Sequence, residues 1–240
     1  MKREEFEEKL KGYLKVMDIE LDEEQVMQFY KYMQLLLEWN EKINLTAITK
    51  PEEIILKHFV DSLTIANKIE KEASLADVGT GAGFPGIPLK IYRRDLCVTL
   101  VDSLNKRINF LNQVIEELKL ENIETIHARA EEIGKNKKYR ESFDVSTSRA
   151  VANLSTLSEY LLPLIKKDGV SICMKGPDIE EELNKGKVAI KTLGGKISEI
   201  DTFFLPKSEM KRNIIWINKI EKTPSKYPRK PGIPAKEPIC

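Results

Sequence analysis

With 240 residues, 41% of them hydrophobic, the chain is long enough for one compact domain with an extension and a substantial buried core. No uncharged apolar run approaches the roughly 20 residues that cross a bilayer, and the start Met1-Lys2-Arg3-Glu4-Glu5 is too polar for a secretory signal. Net charge is only +1, and three scattered cysteines (Cys97, Cys173, Cys240) with two histidines speak for the reducing cytoplasm, against a disulfide framework and against a metal site of standard zinc spacing.

The first 70 residues read as helical. In 22–41 the apolar residues Val26, Phe29, Tyr30, Met33, Leu36 and Leu37 recur at three and four, which makes one buried stripe. Asp22 and Gln25 have capping-box spacing. Thr49 and Glu52 repeat that spacing around Pro51, and predict a second helix burying Ile55, Phe59, Leu63, Ala66 and Ile69. Trp39 borders the first stripe, as core or as a platform for a stacked base. On the second helix His58 and Asp61 lie three apart, as a pair facing a site or as a structural pair.

After residue 73 short apolar strands alternate with amphipathic helices. Strand 74–78, a Gly/Pro loop and a helix from about Ile87 come first. Strand 97–101, helix 105–118, and strands 123–127 and 143–147 follow. Helix 154–166, strand 170–174 and helix 178–192 complete the alternation. That order predicts an α/β fold with a parallel sheet covered on both faces. Stretches 196–205 and 213–220 read as an antiparallel strand pair closing one edge. The expected organisation is a helical cap (1–72), a Rossmann-like domain (73–220) and a basic, proline-rich tail (221–240). Residues 1–30 carry nine acids and five bases, whereas 219–240 carry six bases and two acids. Such a tail is either a nucleic-acid arm, through Lys226, Arg229 and Lys230, or a solvated end.

The chemistry concentrates in Asp77-Val78-Gly79-Thr80-Gly81-Ala82-Gly83-Phe84-Pro85-Gly86, where a strand ends in an acid and a glycine-rich turn opens a helix. Gly81-x-Gly83-x-x-Gly86 matches the dinucleotide fingerprint, which cradles a pyrophosphate. Asp77-x-Gly79-x-Gly81-x-Gly83 resembles instead the first motif of S-adenosylmethionine methyltransferases. A carboxylate repels pyrophosphate but favours a sulfonium and an ammonium, and Pro85 lacks an amide that a phosphate cradle would use. The next strand ends in Asp102-Ser103, where a carboxylate accepts hydrogen bonds from ribose hydroxyls. The third ends near Arg129-Ala130-Glu131, beside the place for an adenine edge. Lys106, Arg107 and Arg129 are candidates for an RNA groove.

Trp39-Asn40, Asn44-Leu45-Thr46, His58-x-x-Asp61-Ser62-Leu63, the loop 77–86, Val101-Asp102-Ser103-Leu104-x-Lys106-Arg107, Ser148-Arg149-Ala150 and Lys175-Gly176 occur in this order. Together they resemble the bacterial 16S ribosomal RNA guanine-N7 methyltransferase family RsmG, also called glucose-inhibited division protein B (GidB). The resemblance implies a seven-stranded methyltransferase fold with an antiparallel last strand, S-adenosyl-L-methionine as methyl donor, and a guanine in the decoding-region stem-loop of 16S ribosomal RNA in the small subunit as acceptor. It implies cofactor contacts at Gly79, Phe84, Ala130, Glu131 and Arg149, with Asp102 at the ribose.

Guanine N7 has a free lone pair and loses no proton on alkylation. A missing general base is therefore expected, and positioning can supply on the order of 7–11 kcal/mol. No cysteine follows a proline, as cytosine-C5 chemistry commonly needs. Ser146-Thr147-Ser148-Arg149 stands where adenine-amine enzymes usually carry an Asn/Asp-Pro-Pro-aromatic motif. Arg149 and Lys175 are the candidates for guanine or phosphate contacts, with Arg149 on O6, phosphate or cofactor rather than N7, and Arg149→Ala is expected to weaken activity at least tenfold with the fold intact. The expected protein is a cytoplasmic monomer. An NAD-dependent oxidoreductase and a non-catalytic RNA-binding module of the same fold are the alternatives.

Overall fold

The change of sequence pattern near residue 73 is a change of architecture in the computed structural model, which describes residues 1–240. Before it lie α1 (Arg3–Leu14), α2 (Glu23–Ile43), and a run in which α3 (Pro51–Ile54) passes through a π-helical stretch, Ile55–Val60, into α4 (Asp61–Leu63). The Asp22 capping box forms: Gln25 N donates to Asp22 Oδ1 at 2.8 Å and Asp22 N to Gln25 Oε1 at 3.0 Å. The expected Thr49 box does not. Pro51 takes the first helical position, so Lys50 is the N-cap and Thr49 stands exposed outside the helix.

From Ser74 the chain alternates as β1 (Ser74–Val78), α5 (Gly86–Tyr92), β2 (Cys97–Asp102), α6 (Asn105–Glu117), β3 (Ile123–His127), α7 (Ala130–Ile133), β4 (Phe143–Arg149), α8 (Leu154–Leu161), β5 (Ile165–Lys175) and α9 (Glu180–Thr192). It closes with β6 (Gly195–Phe204), β7 (Lys211–Lys219) and α10 (Ile233–Lys236). The seven strands lie in the order β3-β2-β1-β4-β5-β7-β6, parallel except for β7, which runs antiparallel between β5 and β6. Helix α8 ends earlier than its apolar pattern suggests. Pro163 has no N–H to continue the helical ladder, and Ile165 already pairs with Phe143 in the sheet.

Sequence order reverses between β1 and β4, which opens a crevice at the carboxyl ends of these strands. The two sheet faces are covered by different means. On one, a continuous cluster of 40 buried residues runs from Phe6, Phe29 and Phe59 of the helical cap through Ile91 and Phe110 to Leu100 and Ile172 of the sheet. The cap thus has no core separate from the sheet's. On the other, α7, α8 and α9 build a cluster of 19 that includes Tyr227 of the C-terminal segment. That segment is folded: Arg140 donates from Nη1 to Tyr227 O at 2.7 Å and from Nη2 to Thr223 O at 2.7 Å.

Candidate functional site

The crevice holds a cavity of about 1160 Å³, lined by the loop after β1, the ends of β2, β4 and β5, the cap, and the C-terminal segment. Its floor is the glycine loop. Gly79 has φ +70° and a Cβ there would lie 2.7 Å from a Val151 methyl, while Gly81, at φ +62°, meets nothing within 4 Å. All but one of the loop amides, that of Ala82, are already occupied. Gly79 N and Thr80 N donate to Val101 O at 2.8 and 3.1 Å, and Gly83 N and Phe84 N to Thr80 O at 2.9 and 3.0 Å. Gly81 N donates to Asp102 Oδ2 at 3.0 Å and Gly86 N to Asp77 Oδ2 at 2.9 Å. No protein donor reaches the carbonyls of Gly79 and Gly81. The loop therefore offers acceptors rather than the row of free N–H groups that a phosphate cradle requires.

Two residues expected at the ligand lie beneath the loop instead. Asp77 is wholly buried and does not line the cavity; its Oδ2 also accepts from Thr80 Oγ1 at 2.6 Å, and Oδ1 has no partner. Burial pushes its carboxyl up to about 6, against the hydrogen bonds from Thr80 and Gly86. Its work is to shape the turn. Gly83 also faces inward: a Cβ there would meet Ile87 Cδ1 at 2.5 Å and the Tyr32 hydroxyl at 2.7 Å. Tyr32 of α2, fully buried among Phe59, Phe84 and Phe110, donates its hydroxyl to Ala82 O. The expected stripe of α2 takes in half-buried Tyr30 and passes over Tyr32, so no sequence signal pointed to this tie between cap and loop.

Asp102 stands at the tip of β2, facing the cavity, 2% exposed. Its Oδ1 accepts from Leu104 N at 2.9 Å, and its Oδ2 takes Gly81 N together with Arg107 Nη1 at 3.2 Å. Arg107 is thus placed at this carboxylate rather than on an outer groove, and exposed Ser103 lies beside it on the cavity wall. Ala130 and buried Glu131 open α7 on the neighbouring wall, with exposed Arg129 before them. Lys106 is exposed and outside the cavity.

The opposite end is built around Arg149, at the end of β4. Its Nη1 donates to Lys57 O, His58 O and Asp61 Oδ2 at 3.2, 3.3 and 3.2 Å, and its Nη2 approaches His58 Nδ1 at 3.3 Å. The π-helical stretch supplies those carbonyls, since its i→i+5 bonding leaves the local ladder irregular. Asp61, 4% exposed, also accepts from Arg212 Nε at 3.2 Å. Phe84 packs against both members of this contact, its ring stacked on the His58 ring at 4.4 Å and 13° and lying 5.1 Å from the Arg149 guanidinium. Burial, with Arg149 adding to it, holds His58 down to about 3, so the ring is neutral. With Nδ1 accepting from Arg149, Nε2 donates to Thr46 Oγ1 at 2.9 Å. His58 and Asp61 do not pair with each other; both serve Arg149. Lys175 Nζ donates to Ala152 O at 2.7 Å and lies 2.7 Å from Glu182 Oε2, so it is a neutralised cation on the wall. Trp39 donates to Gln113 Oε1 and packs on Phe110, partly buried at the edge of the core.

The tail does not extend as a free arm. Arg229 is bound to fully buried Glu159, Nη2 to Oε2 at 2.7 Å and Nε to Oε1 at 3.0 Å, which removes it from the RNA-binding candidates. Lys226 and Lys230 remain exposed. Gly232 and Ala235 reach the cavity wall near half-buried Tyr160, three residues that no sequence signal singled out.

The profile of the family described as rRNA small subunit methyltransferase G matches residues 25–215. Ribosomal RNA small subunit methyltransferase G of Oceanobacillus iheyensis is 56% identical over 228 residues, covering 94% of this chain and 96% of that one. The protein of that name from Desulforamulus reducens is 54% identical, over 96% and 97%. Among solved structures, M. jannaschii TYW2 in complex with AdoMet superposes with a TM-score of 0.54 at 17% identity, over 67% of this chain and 75% of that one. A 16S rRNA (adenine(1408)-N(1))-methyltransferase from Catenulisporales acidiphilia, with cosubstrate SAM, gives 0.52 at 13% identity, over 69% and 93%. At such identities the structures support the fold alone.

Proposed function

The chain belongs to the rRNA small subunit methyltransferase G family, and from that premise we propose that it transfers a methyl group from S-adenosylmethionine to N7 of a guanine in the decoding-region stem-loop of 16S ribosomal RNA. The single observation that carries the cofactor half is the glycine loop, with all its amides but that of Ala82 spent and the carbonyls of Gly79 and Gly81 free. Those carbonyls suit an ammonium. Asp102 suits ribose hydroxyls, and Ala130 with Glu131 suits an adenine edge. A pyrophosphate would find no free row of donors there, which speaks against the nicotinamide alternative.

When bound, the cofactor supplies an electrophilic methyl on a sulfonium. The chain's own residues then position and screen. Neutral His58, bound through both ring nitrogens, is unavailable as a general base, and alkylation of N7 requires none. Asp61 offsets the Arg149 and Arg212 cations, which limits their repulsion of the charge that develops on the purine. Exposed Arg129, Lys226 and Lys230, with Lys106, offer unpaired cations for phosphates. No helix is long and apolar enough to cross a membrane. We read the protein as a cytoplasmic monomer acting on the small subunit.

Equilibrium dialysis against S-adenosylhomocysteine and NAD tests the cofactor half. Micromolar binding of the first and none of the second is expected; the reverse would establish the oxidoreductase reading, and binding of neither would favour the RNA-binding module.

A further inference from the structure

The C-terminal segment is tied to the cofactor end of the cavity by bonds that a mere solvated tail would lack. Gly232, at φ +85°, donates its N–H to Glu131 Oε1 at 2.8 Å, and Glu131 is 5% exposed on the cavity wall. Three residues earlier, Arg229 grips Glu159 through N, Nε and Nη2, at 2.7, 3.0 and 2.7 Å. Glu159 is wholly buried, and that one guanidinium and the Arg229 amide are the donors that meet its carboxylate. Thr156 Oγ1 donates to Pro234 O at 2.9 Å and Ser155 Oγ to Ile239 O, which staples the far side of the segment to α8. Gly232 and Ala235 are themselves cavity wall.

A carboxylate has about four acceptor positions. With Oε1 held by Gly232, the Glu131 rotamer is fixed while Oε2, which takes no protein hydrogen bond, is left to accept from a ligand N–H. We propose that residues 229–239 form a strap that completes the cofactor site, in which Gly232, held in place by the Arg229–Glu159 pair, positions Glu131 for the exocyclic amine of the adenine. Arg229, Glu159 and Gly232 are positioning residues: they act through Glu131 and leave the methyl-transfer end, some strands away at Arg149, unaltered. The inference rests on S-adenosylmethionine occupying this cavity.

The strap has a signature distinct from general stability. In the full-length protein, amide hydrogen exchange across 229–236 slows at least tenfold when S-adenosylhomocysteine binds, because the ligand and the strap share Glu131. Arg229→Ala raises the dissociation constant for S-adenosylhomocysteine about tenfold and KM for the methyl donor in parallel, with kcat at saturating donor within twofold. Arg229→Lys, which keeps one charge and loses the bidentate fork, falls between. The wild-type exchange measurement stands even if Arg229→Ala folds poorly. Ligand binding with strap exchange unchanged, or an Arg229→Ala loss confined to kcat, would overturn the strap. Absence of any ligand binding to the wild type would overturn the cofactor reading instead.

Discussion

The N-terminal cap and the C-terminal segment both cover the same Rossmann-like sheet, yet they are held by different physics. The cap merges with one sheet face through aromatic packing: Phe6, Phe29, Tyr32, Phe59, Phe84 and Phe110 form one contact chain from α1 to the cofactor loop. The C-terminal segment adheres to the other face through side chains that bond its backbone, from Arg140, Glu159, Glu131, Ser155 and Thr156. Hydrophobic burial is cooperative and diffuse, so damage to the cap spreads to the whole fold. Directed bonds are few and local, so damage to this segment stays near Glu131 at its end of the cavity.

The sharpest way to break this contrast is Phe59→Ala. Emptying that wholly buried site costs about 3–5 kcal/mol. Because cap and sheet share one core, chemical denaturation should show a single transition at lower midpoint; a separate early cap transition would mean that the cap folds on its own.

Arg149→Ala comes next. Methyl transfer is expected to fall at least tenfold, and the structure adds a loss of about 2–3 kcal/mol in stability. Asp61, almost fully buried, keeps only Arg212, and the carbonyls of Lys57 and His58 lose a donor. Thermal melts and turnover measured together check both, and unchanged turnover would remove Arg149 from the site.

A pH experiment probes the same junction. Folded His58 titrates at about 3 against an ordinary 6.5, so the unfolded chain binds the extra proton between these values. Its contribution to stability is complete above pH 6.5 and declines as pH falls toward 3, by about 2 kcal/mol between pH 7 and pH 5. Asp77, raised to about 6, works in the opposite sense, its protonated form favouring the fold as pH drops from 6 toward 4. The difference between wild type and His58→Gln isolates the histidine. The variant should lose about 2 kcal/mol less over that interval in urea titrations, and parallel curves would show that the ring is not held neutral.

The smallest effect belongs to Tyr32→Phe. Deleting a buried hydroxyl that serves one carbonyl costs about 1 kcal/mol and should raise KM for the donor a few-fold, with kcat kept. An effect on kcat alone would place Tyr32 outside the loop's support.

These differences also explain what could be read from residues alone. The apolar stripe of α2 and the strand–helix alternation after residue 73 depend on local periodicity, so they announce the cap, the sheet and the glycine loop. Asp77 was visible as an acid, but its position under the loop was not, because one pleat separates cavity from core. The strap was illegible. Pro224–Ile239 has no apolar period, and its contacts with Glu131 and Glu159 span 101 and 70 residues. Its excess of bases suggested an arm in solution, whereas Arg229 is satisfied inside the fold. The His58–Asp61 spacing pointed to the right turn of helix, though the partner of both proved to be Arg149.

The most direct test of the central claim is transfer of labelled methyl from S-adenosylmethionine to small ribosomal subunits from cells lacking this protein, followed by nucleoside analysis of the rRNA. Label is expected in 7-methylguanosine at a single site of 16S ribosomal RNA. Label in any other nucleoside, or cofactor binding with no label in the RNA, would contradict it.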